Sequence, residues 1–486
     1  MIAVSIAGQK IDISQSASLT IGARSPYTVP GELYGPKVYN VAALDNSVNN
    51  KVFNFSKLLN NTSRVRTYPD TEIRFGDLLW KVGTFKFRDY SGGYNFSFHT
   101  DAGDIETRIQ NRKLTDLDFV TVPKDLNFTD IYPAANHAHF TVKNPLFYDT
   151  EASPDYVGYT NLYDSSTNRI YNPSDDGNNY AVTPYPFLLF ILNAVFRDLG
   201  YFGIEGPWTE EDAIKRVVIF NNYDQRGGDI EYAKHLPPIS IGSFLIDTAI
   251  FFGITYVVNP ITRKVRIERI RDWLLDPAYT NLNQRANKNY KLEPNESDGF
   301  TFRMTADSED KALDTVPGWM ESRTGSGAML TEVQASPLRM LSEVSPYGGD
   351  WDIPYVEQTG SGPALEMEPL PRGGLRFMFF EGIGQDSLGN DFPVGHYLRT
   401  GMSLRWEGAD GILARCYSEW MDWKSYTEYM ERTVELTLVE LLQLDTSRKV
   451  MIDNLKWVVE EYEASISADG RADRIKTSLK IYSIKL

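Results

Sequence analysis

The stretch from Pro186 to Arg271 decides the fold. It opens as PFLLFILNAVFRDLG (186–200) and continues, further on, as SIGSFLIDTAIFFGITYVVNP (240–260). In the second segment Ile241, Phe244, Leu245, Thr248, Ala249 and Phe252 recur at helical spacing on one face. Ser240 stands where an N-cap hydroxyl is wanted, and Gly253 where a left-handed C-terminal cap is wanted. Ile254 to Val258 then reads as a strand, Asn259-Pro260 as a turn, and Val265 to Ile270 as the return strand. The first segment predicts a helix over Pro186–Leu199. Its Phe187, Leu188, Phe190, Ile191, Leu192, Val195 and Leu199 occupy more than one face, so it is expected to be buried from several sides. Gly200 ends it, and Val217 to Phe220 gives a short buried strand. Nothing here carries chemistry; the stretch reads as a packing unit.

Working outward, 486 residues suffice for several complete cores. The 28 Tyr, 25 Phe and 9 Trp favour strands and large contact surfaces. A net charge of −16 argues against a groove that grips nucleic acid, which needs clustered Lys and Arg. It suits a surface past which nucleic acid moves without sticking, although keeping a large protein soluble is the simpler use. A lone Cys416 excludes intrachain disulfides and thiolate zinc sites and points to a reducing cytoplasm. Met1 to Lys10 lacks a signal-peptide core, and no run approaches the ~20 apolar residues of a membrane span.

Residues 1–120 read as a β-rich, barrel-like domain. Phe85 and Phe87 share one strand face, Tyr94, Phe96 and Phe98 share another, and Ser91-Gly92-Gly93 turns between them. Residues 121–180 are an irregular connector. The α/β module occupies 181–294. Residues 295–410 alternate strands with long polar loops; Leu375 to Phe380 is a buried strand that Gly382 and Gly384 break. In 411–486 Val434, Leu436 and Leu438 alternate in one strand, Glu440 to Leu444 is a short turn, and Asp453-Asn454 turns a hairpin. That region is expected to complete a second barrel. The expected class is mainly β with α+β parts, two barrel-like β domains flanking a central α/β module.

Chemistry is sparse. There is no G-x-S-x-G elbow, no phosphate-cradling Gly-Lys-Ser/Thr loop and no H-E-x-x-H helix. His137 and His139 would point the same way on a strand, the one spacing suited to a metal, but no third ligand lies nearby. They read as ordinary surface histidines. Asp175-Asp176-Gly177-Asn178 and Asp386 to Asn390 lack the calcium-loop spacing and read as solvated turns. Gly382-x-Gly384 opens no helix, against dinucleotide binding. Glu366/Glu368 and Asp307/Asp310 could pair as acid and base, but 65 acidic residues produce such pairs by chance. Trp420, Trp423, Tyr426 and Tyr429 could stack on sugars and are more often core or interface. No catalytic, cofactor-binding or metal residue is assigned.

Taken end to end, the chain resembles the tail hub (baseplate hub) proteins of long-tailed bacteriophages. The resemblance begins in Ile11-Asp12-Ile13, Ser25-Pro26, Pro30-Gly31 and Asn50 to Phe55. It continues in Tyr94 to Phe98 leading to Asp101-Ala102-Gly103, and in Lys113 to Leu117. The middle is similar in Leu192 to Gly200, Leu236 to Ser240, Phe244-Leu245 and Phe252-Gly253. The end is similar in Leu375-Arg376-Phe377, Leu441 to Asp445 and Trp457-Val458-Val459, whereas 305–370 departs from the pattern. The resemblance implies a non-enzymatic virion part, assembled in the host cytoplasm and placed at the tail tip. It also implies a homotrimer whose barrel-like domains form a pseudo-hexameric ring around an axial channel for DNA or a tape-measure protein. Its partners would be the tail tube or distal tail protein and tail-tip or fibre proteins. A carbohydrate-binding or carbohydrate-cleaving β protein, a distal tail ring and a receptor-binding protein are the alternative readings.

Overall fold

The computed structural model describes residues 2–13, 18–32, 37–58, 66–100, 105, 109, 112–123, 132–148, 156–173, 181–226, 228–259, 261–294, 299–361, 373–467 and 473–484. The fold is mainly β and multidomain. The chain forms two compact units, each assembled from separated segments. The first comprises Met1–Gln110, Thr255–Ser297 and Glu419–Leu486; the second comprises Asn111–Ile254 and Asp298–Ser418.

The first unit is built on a 13-stranded sheet. Its order runs Ala286–Pro294, Glu428–Leu436, Ile475–Ser483, Leu455–Ser467, Ser18–Arg24, Lys37–Ala43, Tyr94–Thr100, Leu78–Tyr90, Thr67–Phe75, Ile2–Ile6 and Gln9–Ile11. Lys449–Ile452 pairs beside Leu455–Ser467, and Tyr279–Asn281 joins it in parallel. Period-two burial explains the strands: Tyr94, Phe96, Phe98 and Thr100 are buried in turn, as are Ile475, Thr477, Leu479, Ile481 and Ser483. Aromatic side chains fill one end, with Phe53 4.7 Å from Tyr94 and Phe85 stacked on Phe96 at 5.2 Å.

Two barrel-like domains were expected, one from each end of the chain. The two half-barrels instead share one continuous sheet, joined where Ser18–Arg24 pairs antiparallel with Leu455–Ser467, from Ser18↔Ser467 to Arg24↔Glu461. They share one apolar core as well, in which Leu19, Ile21, Phe96, Val459, Ala464 and Leu479 belong to a single buried cluster.

In the second unit the helix Ile241–Phe252 forms as its pattern predicts. Ser240 Oγ accepts from the Ser243 amide at 2.9 Å, and Gly253 closes the helix at φ 59°. A Cβ at Gly253 would come within 2.8 Å of Cys416 Cβ, so this position needs glycine for space as well as for φ. The helix packs Phe251 and Phe252 on Phe377, at 5.1 and 5.4 Å. Phe377 belongs to Leu375–Gln385, which pairs with Val217–Ile219 and, in parallel, with Ala335–Pro337. The other helix spans Leu188–Asp198 and buries Leu188, Leu189, Ile191, Leu192, Val195 and Phe196.

Several local expectations change. The 181–294 stretch is divided after Ile254, because its later strands find hydrogen-bond partners far away in sequence, Ala286–Pro294 on Glu428–Leu436. Gly382 does not break its strand but shifts the register between Phe380 and Gly382, a bulge. Leu438 leaves the strand to start the helix Leu438–Leu442, since Thr437 and Glu440 form a reciprocal capping box. In 295–410, where strands were expected to alternate with long polar loops, the strands include Glu321–Gly325, Met329–Val333, Arg339–Val344 and Asp350–Tyr355.

Ile21, 1% exposed, sits on the joining strand. Ile21→Ala is expected to destabilise the first unit by about 2–5 kcal/mol, by lost burial plus a cavity. Urea denaturation monitored by circular dichroism checks this, and a midpoint equal to wild type would refute it.

Candidate functional site

The connector expected to be irregular has short ladders, Tyr159–Thr160 on Val142–Lys143 and Leu162–Asp164 on Arg169–Tyr171, and is held besides by side-chain amides. Asn161 Nδ2 donates to the Thr183 carbonyl at 2.7 Å, the Thr183 amide donates back to Asn161 Oδ1 at 2.8 Å, and the Asn161 amide donates to Asn172 Oδ1 at 2.7 Å. Asn144 Nδ2 reaches the Gln358 carbonyl at 2.8 Å, and Asn222 Nδ2 reaches Gln358 Oε1 at 2.5 Å. All of these side chains are buried, so each bond meets a demand that water cannot meet.

Within this polar interior lie His137 and His139, at 6% and 0% exposure. They are not surface histidines. The strand His137–Ala138 pairs with Tyr185–Pro186, and Tyr232 of the turn Tyr232–His235 lies against it, its hydroxyl 2.8 Å from His137 Nδ1. The two imidazoles meet edge to face, 4.9 Å apart. The same turn brings in His235, whose Nδ1 lies 3.2 Å from Asn221 Oδ1 and whose Nε2 lies 3.3 Å from Gln225 Oε1. Burial pulls His235 down to about 3, and burial with its neighbours His137 and His235 holds His139 well below the ordinary imidazole range. Both rings are therefore neutral at neutral pH. Among the described residues, no group of three His, Cys, Asp or Glu could hold a metal.

The carboxylate candidates are occupied structurally. Asp310 pairs with Arg376 at 2.6 Å, with side-chain exposures of 0% and 1%, and its Oδ1 also accepts from the amides of Glu357 (2.8 Å) and Ala312 (3.0 Å). Asp307 accepts from the Gly374 and Glu309 amides, so both carboxyls are engaged in holding the backbone. Asp386 is not a solvated turn residue. It is 6% exposed and accepts from Ser345, Gly349, Leu388 and Asn390. Burial raises its pKa, yet those hydrogen bonds outweigh burial and hold the carboxyl well below its usual range. Asp247, on the helix Ile241–Phe252, shows the opposite balance: burial raises it to about 6 against one bond from the Gln334 amide at 2.9 Å. Asp175-Asp176-Gly177-Asn178 and Glu366/Glu368 lie outside the described residues.

In the first unit Trp420 and Trp423 are each 1% exposed, and Trp423 Nε1 donates to the Ser483 carbonyl at 2.9 Å. Tyr426 is exposed and Tyr429 half-buried, so the four aromatics do not present one stacking surface. Sequence reasoning missed Lys424 beside them. Its ammonium is buried over the Trp423 and Tyr482 rings, at 4.8 and 4.2 Å, and burial pulls it down to about 8 against the pull of Glu460 and Glu32. Glu460 is the bulge residue between Val459 and Glu461, and its carboxylate lies 3.8 Å from Arg24 at the end of the joining strand. The Lys424 ammonium and the Glu460 carboxylate thus lie beside the end of the strand that joins the half-barrels.

The Arg376–Asp310 pair is the sharpest test of this interior. Arg376→Met is expected to cost about 3–5 kcal/mol, because it leaves the fully buried Asp310 carboxyl without its guanidinium partner. Adding Asp310→Asn should recover much of that, since an amide oxygen can still accept from Glu357 and Ala312. Denaturant midpoints of the two variants check this; equal midpoints would contradict it.

No protein-family model matches the chain, and no curated protein matches it. Among solved structures it is similar to the 43 kDa tail protein of prophage MuSo2 from Shewanella oneidensis, at 9% identity and a TM-score of 0.37, over 99% of this chain and 97% of that one. It is also similar to a tail protein from Neisseria meningitidis MC58, at 8% identity and a TM-score of 0.36, over 99% and 96%. Prophage tail protein gp18 from Listeria monocytogenes EGD-e gives 8% identity and a TM-score of 0.36, over 99% and 94%. At identities and scores this low, the likeness carries no functional weight.

Proposed function

We propose that the chain is a structural part of a bacteriophage tail, a hub subunit that forms a threefold ring at the tail tip. The observation that carries this reading is the sheet of the first unit. Two half-barrels from opposite ends of one polypeptide are joined through Ser18–Arg24 and Leu455–Ser467 into a single sheet. Three copies of such an element present six similar lobes around an axis, which suits an adaptor between a sixfold tube and a threefold tip. The ordered hub-like residues of the sequence support the same reading.

In this role the protein works by shape and not as an enzyme. An acidic balance of −16 suits a channel that DNA or a tape-measure protein passes without sticking. The ring contacts the tail tube or distal tail protein on one side and tail-tip or fibre proteins on the other. The sugar-handling alternative loses its best stacking residues, since Trp420 and Trp423 are core.

Native mass spectrometry and negative-stain imaging of the purified chain test the proposal. The expected species has three times the mass of the 55.2 kDa chain and shows a central hole. A sixfold ring would reassign it to a distal tail ring. A monomer that cleaves or binds glycans would overturn the reading.

A further inference from the structure

The buried histidines of the second unit have no part in the proposed role, and what they do does not depend on it. We propose that His137, His139 and His235 form an acid-responsive latch. Proton uptake there releases the turn Tyr232–His235 from the strand His137–Ala138 and opens this part of the second unit.

The geometry makes the closed state depend above all on a neutral His139. His139 is fully buried, and neither ring nitrogen has a hydrogen-bond partner among the described residues. A proton arriving there meets no acceptor. The charged or titratable groups that act on His139 are His137 and His235; those that act on His235 are His137 and Lys234. Each of these is cationic when protonated, and none is a carboxylate. The phenols that face the rings, Tyr232 at 2.8 Å from His137 and Tyr223 edge-on to His235 at 5.1 Å, have their ionisation pushed upward by burial and offer no anion. Each proton taken up therefore raises the cost of the next.

The strand is also held by the Phe187 amide, which donates to the Asn136 carbonyl at 3.0 Å, and by Ala138 in a buried apolar cluster with Phe140 and Tyr185. Its ladder consists of Tyr185↔Ala138 and Pro186↔His137, and proline brings no amide donor. Tyr232 ties the turn to the strand through His137 and packs on Phe190 at 4.7 Å.

The sign follows from linkage. Depressed folded-state values mean that the open state binds more protons at every pH between the ordinary imidazole range and the folded values. The closed form is fully favoured above about pH 6.5 and weakens as pH falls through that value towards about 3, the folded value of His235.

Hydrogen–deuterium exchange of the full chain, corrected for intrinsic rates, tests the latch at about pH 7.5 and about pH 5. Peptides spanning 136–142 and 230–236 are expected to exchange at least about tenfold faster at the lower pH, while Ile475–Ser483 keeps its protection. In His139→Phe and, separately, His235→Gln, that acid response should shrink. Should His139→Phe fail to fold, His235→Gln and the wild-type comparison still decide. Equal protection at both pH values would overturn the proposal, as would an undiminished acid response in the folded variants or loss of protection in Ile475–Ser483 at the same pH.

Discussion

Seven backbone pairings, Ser18↔Ser467 through Arg24↔Glu461, are the constraint on which the first unit depends. Each half of the sheet would otherwise end in an unpaired strand with a row of free amides and carbonyls, an aggregation template in an aromatic-rich chain. Joined, the two ends bury a common core in which Ile21 and Leu19 lie with Ala464 and Leu479. Past the last pairing the Ser25 amide donates to the Glu460 carbonyl at 2.7 Å, and Glu460 is also the residue at which the pairing of Leu455–Ser467 with Ile475–Ser483 shifts, with Arg24 and Lys424 close by. Register and charge therefore agree at one place. A one-residue slip would turn every apolar side chain of the joining strands to the wrong face.

The second unit solves a different problem. Its segments between 132 and 173 have few ladders, so buried amides of Asn144, Asn161 and Asn172 supply the missing hydrogen bonds. Arg376 and Asp310 extend the same logic to charge. A guanidinium on a strand inside an apolar run is tolerated because a fully buried carboxylate meets it. Such interiors specify one arrangement strongly and tolerate substitution poorly, since loss of one partner strands the other.

What the sequence disclosed depended on how local the determining physics is. The helix Ile241–Phe252 was readable almost to the residue, because its cap, its 3.6-residue period and its terminal glycine all lie within the segment. The mainly β class and the Asp453-Asn454 turn, with φ of 55° and 62°, were readable for the same reason. The Thr437-x-x-Glu440 capping box was present in the sequence but masked by alternation through Val434, Leu436 and Leu438. The shared sheet was not readable, because nothing near Ser18 names Ser467 as its partner. The histidines failed in both respects. Spacing placed His137 and His139 on one face, but burial and the arrival of His235 depend on a turn that follows nearly a hundred positions later.

The wide separation of the joined strands also has a consequence during synthesis. Arg24 leaves the ribosome long before Leu455 has been translated. At roughly 5–20 residues per second, the nascent Ser18–Arg24 edge waits on the order of 20–90 seconds for its mate. The second unit, complete once Ser418 has emerged, can fold in the meantime. The first unit must remain open until the final segment is released, and in that interval a chaperone would find its substrate.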